Sequence, residues 1–356
     1  MNKIKNKTNP GNFFEDFSVG QELIHSTPRT ITQGEVALFI GLLGSRFVLH
    51  SSNEFAKKIG YQNSPVDDIL TFNMVFGKTV PDISLNSPAN LGYASCKFGV
   101  PVYIGDTIKT TSKVLGVKEN SNKKTGIVWV NSVGKNQKNE VVLDYIRWVM
   151  VNKRDLSSPP PKTVIPDLKT EVDINEFYVP SGLNISKYNF DESGSKYIWG
   201  DYKVGEKIDH VDGMTIEESD HMTATRLYQN TAKVHFNDHT EKNGRLGSRI
   251  VYGGHIISLV RMLSFNGLSN AFKILGINGG KHIAPTIAGD TIYAWTEILD
   301  KKELPKRSDL GVLRLKTIGI KNHLCKEFPL YKNGDEEYNS NVVLEIDYSV
   351  LMPKKL

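Results

Sequence analysis

After Gly254, apolar residues fall at Ile256, Ile257, Leu259, Val260 and Leu263, which is helical spacing on a mostly buried face. The spacing predicts a core helix from about Gly254, with Gly267 and Asn270 as candidate stops. Beyond it the pattern changes to β-branched and aromatic alternation in Thr291-Ile292-Tyr293-Ala294-Trp295, Val312-Leu313-Arg314-Leu315 and 342–348, which predicts strands. One buried helix followed by an antiparallel meander is the pattern of an α+β unit in which a sheet wraps round a helix.

This order is written twice. Shifting the numbering by 185 carries Asp16, Val19, Gly20, His25, Thr30, Ile31, Leu42 and His50 onto Asp201, Val204, Gly205, His210, Thr215, Ile216, Leu227 and His235. Further on, an offset of 184 carries Leu91, Gly92, Lys97, Pro101, Gly105, Asp106 and Thr107 onto Leu275, Gly276, Lys281, Pro285, Gly289, Asp290 and Thr291. Near the end of each copy, residues 140–144 answer 341–345, after an insertion that carries Cys325. A repeat of this size is a small domain and not a solenoid unit. It predicts two copies of one fold, packed as a pseudo-dimer. Residues 155–168 break both helix and strand patterns with Pro159-Pro160-Pro161 and Pro166, and the second copy resumes near Tyr197-Ile198-Trp199. The expected organisation is an N-terminal domain over 1–154, a Pro-rich connection over 155–196 long enough to wrap a domain, and a C-terminal domain over 197–356.

Composition narrows the function classes. Hydrophobic content of 39% and charged content of 23% describe a globular protein with a real core in each half. The 44 Lys and Arg against 39 Asp and Glu leave a net charge of +5, scattered and not interleaved with aromatics, so nucleic acid is not an expected partner. The start of the chain, residues 1–7, is polar and basic with no apolar core, which is not a secretory signal. The most apolar stretch, about 36–49, is broken by Gly41, Gly44, Ser45 and Arg46 and is too short to cross a bilayer, so no membrane partner is expected. Two cysteines, Cys96 and Cys325, with no metal or redox spacing, suit a reduced, cytoplasmic protein.

The two copies differ in chemistry. The stretch Leu227-Tyr228-Gln229-Asn230-Thr231-Ala232-Lys233-Val234-His235-Phe236-Asn237 resembles the hydratase motif of the MaoC and (R)-specific enoyl-CoA hydratase family: a Tyr, then Ser-Gly-Asp-x-Asn-Pro-x-His. His235 falls on the motif His, and Asn230 stands where the motif has Asp. Ala232-Lys233 replaces its Asn-Pro. Longer runs, residues 12–17, 27–32, 65–86 and 228–237, resemble the mesaconyl-CoA hydratases (β-methylmalyl-CoA dehydratases), which carry two such domains in one chain. The resemblance implies a tandem hot dog fold and reversible hydration of mesaconyl-C1-CoA to β-methylmalyl-CoA, in the ethylmalonyl-CoA and related carbon-assimilation pathways. It further implies a CoA-thioester substrate, no cofactor, and a homo-oligomer of pseudo-dimeric chains.

Hydrating an α,β-unsaturated thioester needs a base for water, donors for the enolate oxygen and an acid for the α-carbon. His235 suits base and acid in turn. Asn230 can hold the attacking water, or it can simply satisfy a local turn. Gly253 and Gly254, at the expected helix start, let a thioester carbonyl approach unpaired N–H groups; the alternative is that they only permit tight packing. Tyr228, at the motif Tyr, joins the expected substrate-binding set. The matching helix start in the first copy, Val66-Asp67-Asp68-Ile69, would repel an enolate oxygen, and Ser45 stands at the Asn230 position. The first copy is therefore read as degenerate, with His50 a relic or structural residue. The substrate's free carboxylate calls for a cation, and Lys233, Arg226 and Arg249 are the candidates. No metal is expected, because His235 and His239 lack the Glu of a zinc protease motif and a third ligand. No Gly-rich phosphate loop follows a strand. Competing readings are an enoyl-CoA or fumaryl-CoA hydratase, and a hot dog acyl-CoA thioesterase or acyl-CoA binding protein.

Overall fold

The computed structural model describes residues 7–244, 246–305, 307–332 and 336–354. The first half supplies strands β1 (Glu22–Ile24), β2 (Arg29–Thr30), β3 (Ala89–Phe98), β4 (Thr107–Glu119), β5 (Thr125–Lys135) and β6 (Val141–Asn152). The second supplies β7 (Lys207–Thr215), β8 (Lys273–His282), β9 (Thr291–Leu304), β10 (Arg307–Lys321) and β11 (Val342–Pro353). All pair antiparallel in one sheet of order β1-β4-β5-β6-β3-β8-β11-β10-β9-β7, with β2 also on β4. The order reads the same from either end once the second half is substituted for the first. The halves join where β3 meets β8, Tyr93 opposite Gly280 and Lys97 opposite Gly276. The strands form for the expected reason: along β4, Ile108, Thr110, Ser112 and Val114 are buried while Lys109, Thr111 and Lys113 face solvent.

Each half wraps its sheet round one buried helix, Asp68–Thr79 in the first and Gly253–Leu263 in the second. The chain is thus a tandem hot dog. Asp67 caps the first core helix by accepting the Ile69 N–H at 2.8 Å. The second begins at Gly253 and ends at Leu263, before the stops expected at Gly267 and Asn270. Ser264 closes it, and Gly267 sits in the turn that follows, with φ of 102°. Duplication extends to buried polar groups. His25 Nε2 meets Ser112 Oγ at 2.7 Å, and its counterpart His210 Nε2 meets Thr296 Oγ1 at 2.7 Å. Thr30 and Thr107 pair through their hydroxyls at 2.7 Å, as Thr215 and Thr291 do at 2.8 Å.

The connection crosses both halves. Val164 bridges to Val117, Val172 N–H donates to Asn278 Oδ1 at 2.9 Å, and Asn184 N–H donates to the Ile59 carbonyl at 2.9 Å. Leu183, Ile185 and Tyr188 pack into one cluster with Phe55 of the first half and Phe272 and Leu275 of the second. Among the described residues no helix is long and apolar enough to cross a membrane.

Candidate active site

A cavity of about 250 Å³ lies between the halves. The second half contributes Asn230, His235, Gly253 and His282 to its wall, and the first half contributes Phe76, Tyr93, Asn90 and Arg147. Local backbone explains how the second-half groups arrive there. The helix Glu218–Leu227 ends, Gln229 takes a left-handed φ of 54°, and the chain turns sharply. Asn230 then anchors the turn: its N–H donates to the Thr225 carbonyl at 3.1 Å, and its Oδ1 accepts the Ala232 N–H at 3.0 Å. The turn Lys233–His235 follows and sets His235 on the wall.

His235 Nδ1 lies 2.8 Å from the Ile250 carbonyl. A carbonyl only accepts, so Nδ1 carries the proton in the neutral ring and Nε2 keeps its lone pair. Burial pushes the His235 pKa down to about 4, against the pull of the Ile250 carbonyl, and His221 acts in the same direction as burial. The imidazole is therefore neutral at pH 7, a form that can accept a proton.

At the start of the second core helix the two glycines part company. Gly253 lines the cavity, and a Cβ there would come 2.5 Å from His282 Nε2. The helix's own ladder begins only at His255, whose N–H donates to the Tyr252 carbonyl at 2.9 Å, so the first N–H groups are left for a ligand. Gly254 instead faces the first core helix, where a Cβ would stand 2.0 Å from Asn73 Oδ1. Close packing thus excludes a side chain at both positions, against Asn73 at Gly254 and against His282 at Gly253, and only Gly253 lines the cavity. His282 meets Tyr93 Oη at 3.2 Å and is held neutral by burial, with a pKa near 4.

Arg147 is fully buried. It donates to Thr79 Oγ1 at 2.8 Å, Ser84 Oγ at 3.3 Å and Asn90 Oδ1 at 3.5 Å, and its guanidinium carbon stands 4.2 Å from the centroid of the Phe76 ring. Among the described residues no carboxylate lies within ion-pair distance of it, and Nε has no partner. Burial lowers its pKa, with Tyr145 and Tyr93 opposing.

The corresponding place in the first half is closed. His50 Nδ1 lies 3.1 Å from the Pro65 carbonyl, repeating the His235–Ile250 arrangement 185 positions earlier. Its Nε2 faces Asp67 Oδ2 at 4.0 Å, and Asp68, at the Gly253 position, is tied up by Lys273 Nζ at 3.0 Å and the Ile274 N–H at 2.8 Å. Strand register matches Tyr93–Arg147 to Ile277–Tyr348. Ile277 and Tyr348, with Arg261 at the Phe76 position, line a void of only about 10 Å³.

Of the other residues expected at the site, none lines the cavity. Tyr228 is buried in the core with its hydroxyl 3.5 Å from Ser258 Oγ. Lys233 is exposed. Arg226 is exposed on a separate outer bowl with Lys78 and Gln229. Arg249 is ion-paired to Glu218 and lies 4.0 Å from Asp238. Arg147, His282 and Tyr93 went unnoticed in the sequence. One signal was there for Arg147: Leu143, Tyr145, Arg147, Val149 and Val151 are the inward positions of β6, so an arginine stands in phase with apolar residues.

Known proteins match the chain over nearly its whole length. The sequence profile of the mesaconyl-CoA hydratase family matches residues 2–334. The chain is 59% identical over 349 residues to a beta-methylmalyl-CoA dehydratase of Chloroflexus aurantiacus, covering 98% of this chain and 99% of the relative. It is 49% identical over 348 residues to a mesaconyl-CoA hydratase of Cereibacter sphaeroides, covering 98% and 100%. The solved structure of a MaoC domain protein dehydratase from Chloroflexus aurantiacus superposes with a TM-score of 0.97 at 59% identity, covering 99% of this chain and all of that one.

Proposed function

The chain belongs to the mesaconyl-CoA hydratase family, and on that premise we propose how its cavity works. The protein is a hydro-lyase of the MaoC type that adds water reversibly to mesaconyl-CoA, giving β-methylmalyl-CoA. In this reading the thioester is at C1 and residues 197–356 carry the chemistry, while residues 1–154 form the degenerate half and one wall of the pocket. The neutral His235, its Nδ1 held by the Ile250 carbonyl and its ring in the same cavity wall as Gly253, is the observation that carries the reading.

The thioester carbonyl docks against the Gly253 N–H. As water adds at the β-carbon, negative charge moves onto that oxygen, and the helix N-terminus stabilises it. His235 Nε2 takes the water's proton. The same imidazolium then returns a proton to the α-carbon, so one water is consumed and none of the protein's groups changes state over the cycle. Asn230 lines the wall five residues before His235, and its Oδ1 already accepts the Ala232 N–H, so its amide nitrogen is the group that can orient the water. No step calls on a cofactor. The buried thiols Cys96 and Cys325, held protonated by burial, suit a reducing compartment such as the cytoplasm.

The test is incubation with mesaconyl-C1-CoA while following the enoyl-thioester absorbance and free thiol in parallel. Loss of absorbance without thiol release is expected. Thiol release would make the protein a thioesterase, and binding with no change in either signal would make it an acyl-CoA carrier.

A further inference from the structure

A guanidinium buried in the protein without a counter-ion is costly, because the desolvated charge has nothing to offset it. Arg147 is in that state: its three acceptors, Thr79, Ser84 and Asn90, are all neutral, and Nε donates to nothing among the described residues. It also lines the same cavity as His235 and Gly253, on the wall contributed by the other half. Burial resists the charge, yet guanidinium stays protonated in proteins. The cavity wall therefore holds a permanent positive charge with no counter-ion among the described residues, which an anionic ligand entering the cavity can supply.

The closed, pseudo-equivalent site around His50 and Asp68 supplies a control within the same chain. There the position equivalent to Arg147 is Tyr348, beside a collapsed void and no open pocket. The arginine at that site, Arg261 of the second half, stands at the position of Phe76; it donates to Ser264 Oγ at 3.2 Å and to the Ala271 carbonyl, and its guanidinium carbon lies 3.7 Å from the centroid of the Phe47 ring. Arg261 too has no carboxylate within ion-pair distance among the described residues, but the void it lines holds only about 10 Å³, whereas Arg147 lines a cavity of about 250 Å³ with room for a ligand's carboxylate.

We infer that Arg147 receives the free carboxylate of the substrate's acyl chain and makes the site specific for dicarboxylic monothioesters. The inference rests on the hydratase reading above. In mesaconyl-C1-CoA the carboxylate sits on the β-carbon, the carbon that water attacks. With the thioester oxygen at Gly253 and the carboxylate at Arg147, the double bond spans the cavity between the two halves, against His235. A planar guanidinium can meet both carboxylate oxygens at once, which fixes the orientation of the bond as well as its charge. Neutralising that carboxylate also removes repulsion toward the hydroxide-like oxygen arriving next to it. The specificity residue therefore comes from the half that has lost its own catalytic groups, which gives that half a reason to persist.

The probe is tigloyl-CoA, in which a methyl replaces the carboxylate and nothing else changes. The wild-type protein should show a kcat/KM for mesaconyl-C1-CoA on the order of a hundredfold or more above that for tigloyl-CoA. In R147M that ratio should fall to within about tenfold of unity. R147K, which keeps the charge but not the two-pronged contact, should lower the ratio about tenfold. It also supplies the comparison if R147M fails to fold by circular dichroism. Equal constants in the wild type, or an unchanged ratio in the folded variant, overturn the inference while leaving a hydratase in place. No hydration of either thioester removes the functional reading, and this inference with it.

Discussion

Asn73 Nδ2 donates to Ser258 Oγ at 3.1 Å, and the two residues are 185 positions apart, the offset of the internal repeat. Equivalent positions of the two copies therefore touch each other on the local twofold axis, at the crossing of the core helices. Asn73 Nδ2 reaches the Gly254 carbonyl at 3.4 Å, and Ser258 Oγ donates to that same carbonyl at 2.7 Å. A side chain at Gly254 would occupy the place of Asn73 Oδ1. The crossing is closed to anything larger than glycine, and its closeness brings the Gly253 N–H and the Arg147 wall to one cavity.

The halves should not survive separation. Cutting between them exposes β3 and β8 as bare edges and opens the helix crossing to water. Residues 1–154 expressed alone should be insoluble or inactive, judged by yield in the soluble fraction and by the hydration assay. A soluble, active fragment 190–356 would sink this claim.

Asp68 should matter to stability although it stands at the start of the core helix that carries no chemistry. It is the buried partner of Lys273, across the boundary between halves. D68A leaves that ammonium buried and unpaired, at a cost of about 3–5 kcal/mol. A melting temperature lowered by several degrees, with kcat little changed in the surviving folded protein, is the expected result. A melting temperature within a degree of wild type would show that the pair is replaced by water.

Much of this was legible in the residues, and the limits are physical. The repeat, the buried helix and the meander follow from spacing alone, because side-chain period reports which face is buried. The histidine was legible through its place in a motif. The proposed cation was not: Lys233, Arg226 and Arg249 neighbour His235 in the chain, yet the cavity closes against the other half, so Arg147, 88 positions upstream, forms its wall. Sequence distance is a poor guide where a site is built across a pseudo-twofold. The inward phase of Arg147 in β6 was the available clue, and it could not say which pocket the strand would face.

Acid should weaken the fold. His210 and His255 are almost wholly buried, with pKa values pushed down to about 4 and about 3. Both lie below the ordinary value of about 6.5, so the unfolded chain binds protons first. Their contribution is complete above pH 6.5 and is lost as pH falls through 6.5 toward 4, at about 1 kcal/mol per pH unit for each. Melting temperature should therefore drop between pH 7 and pH 5. H255L removes one such group, whose Nδ1 has no hydrogen-bond partner, and should flatten the slope. An identical slope in H255L would assign the acid sensitivity elsewhere.

The sharpest expectation concerns the two equivalent histidines. Both hold a backbone carbonyl through Nδ1, but only His235 presents Nε2 to an open cavity, and His50 faces Asp67. H235A should lower kcat by at least about a hundredfold, the usual worth of general acid–base catalysis. N230A should lower it less, since water loses orientation but not its base. H50A should change stability more than turnover. Because the free enzyme's His235 titrates near pH 4, kcat/KM should hold steady from pH 7 down to about 5 and fall only below that, with no step near 6.5. Each variant is first matched to wild type by circular dichroism. If H50A abolishes hydration while H235A retains it, the active half has been assigned to the wrong copy.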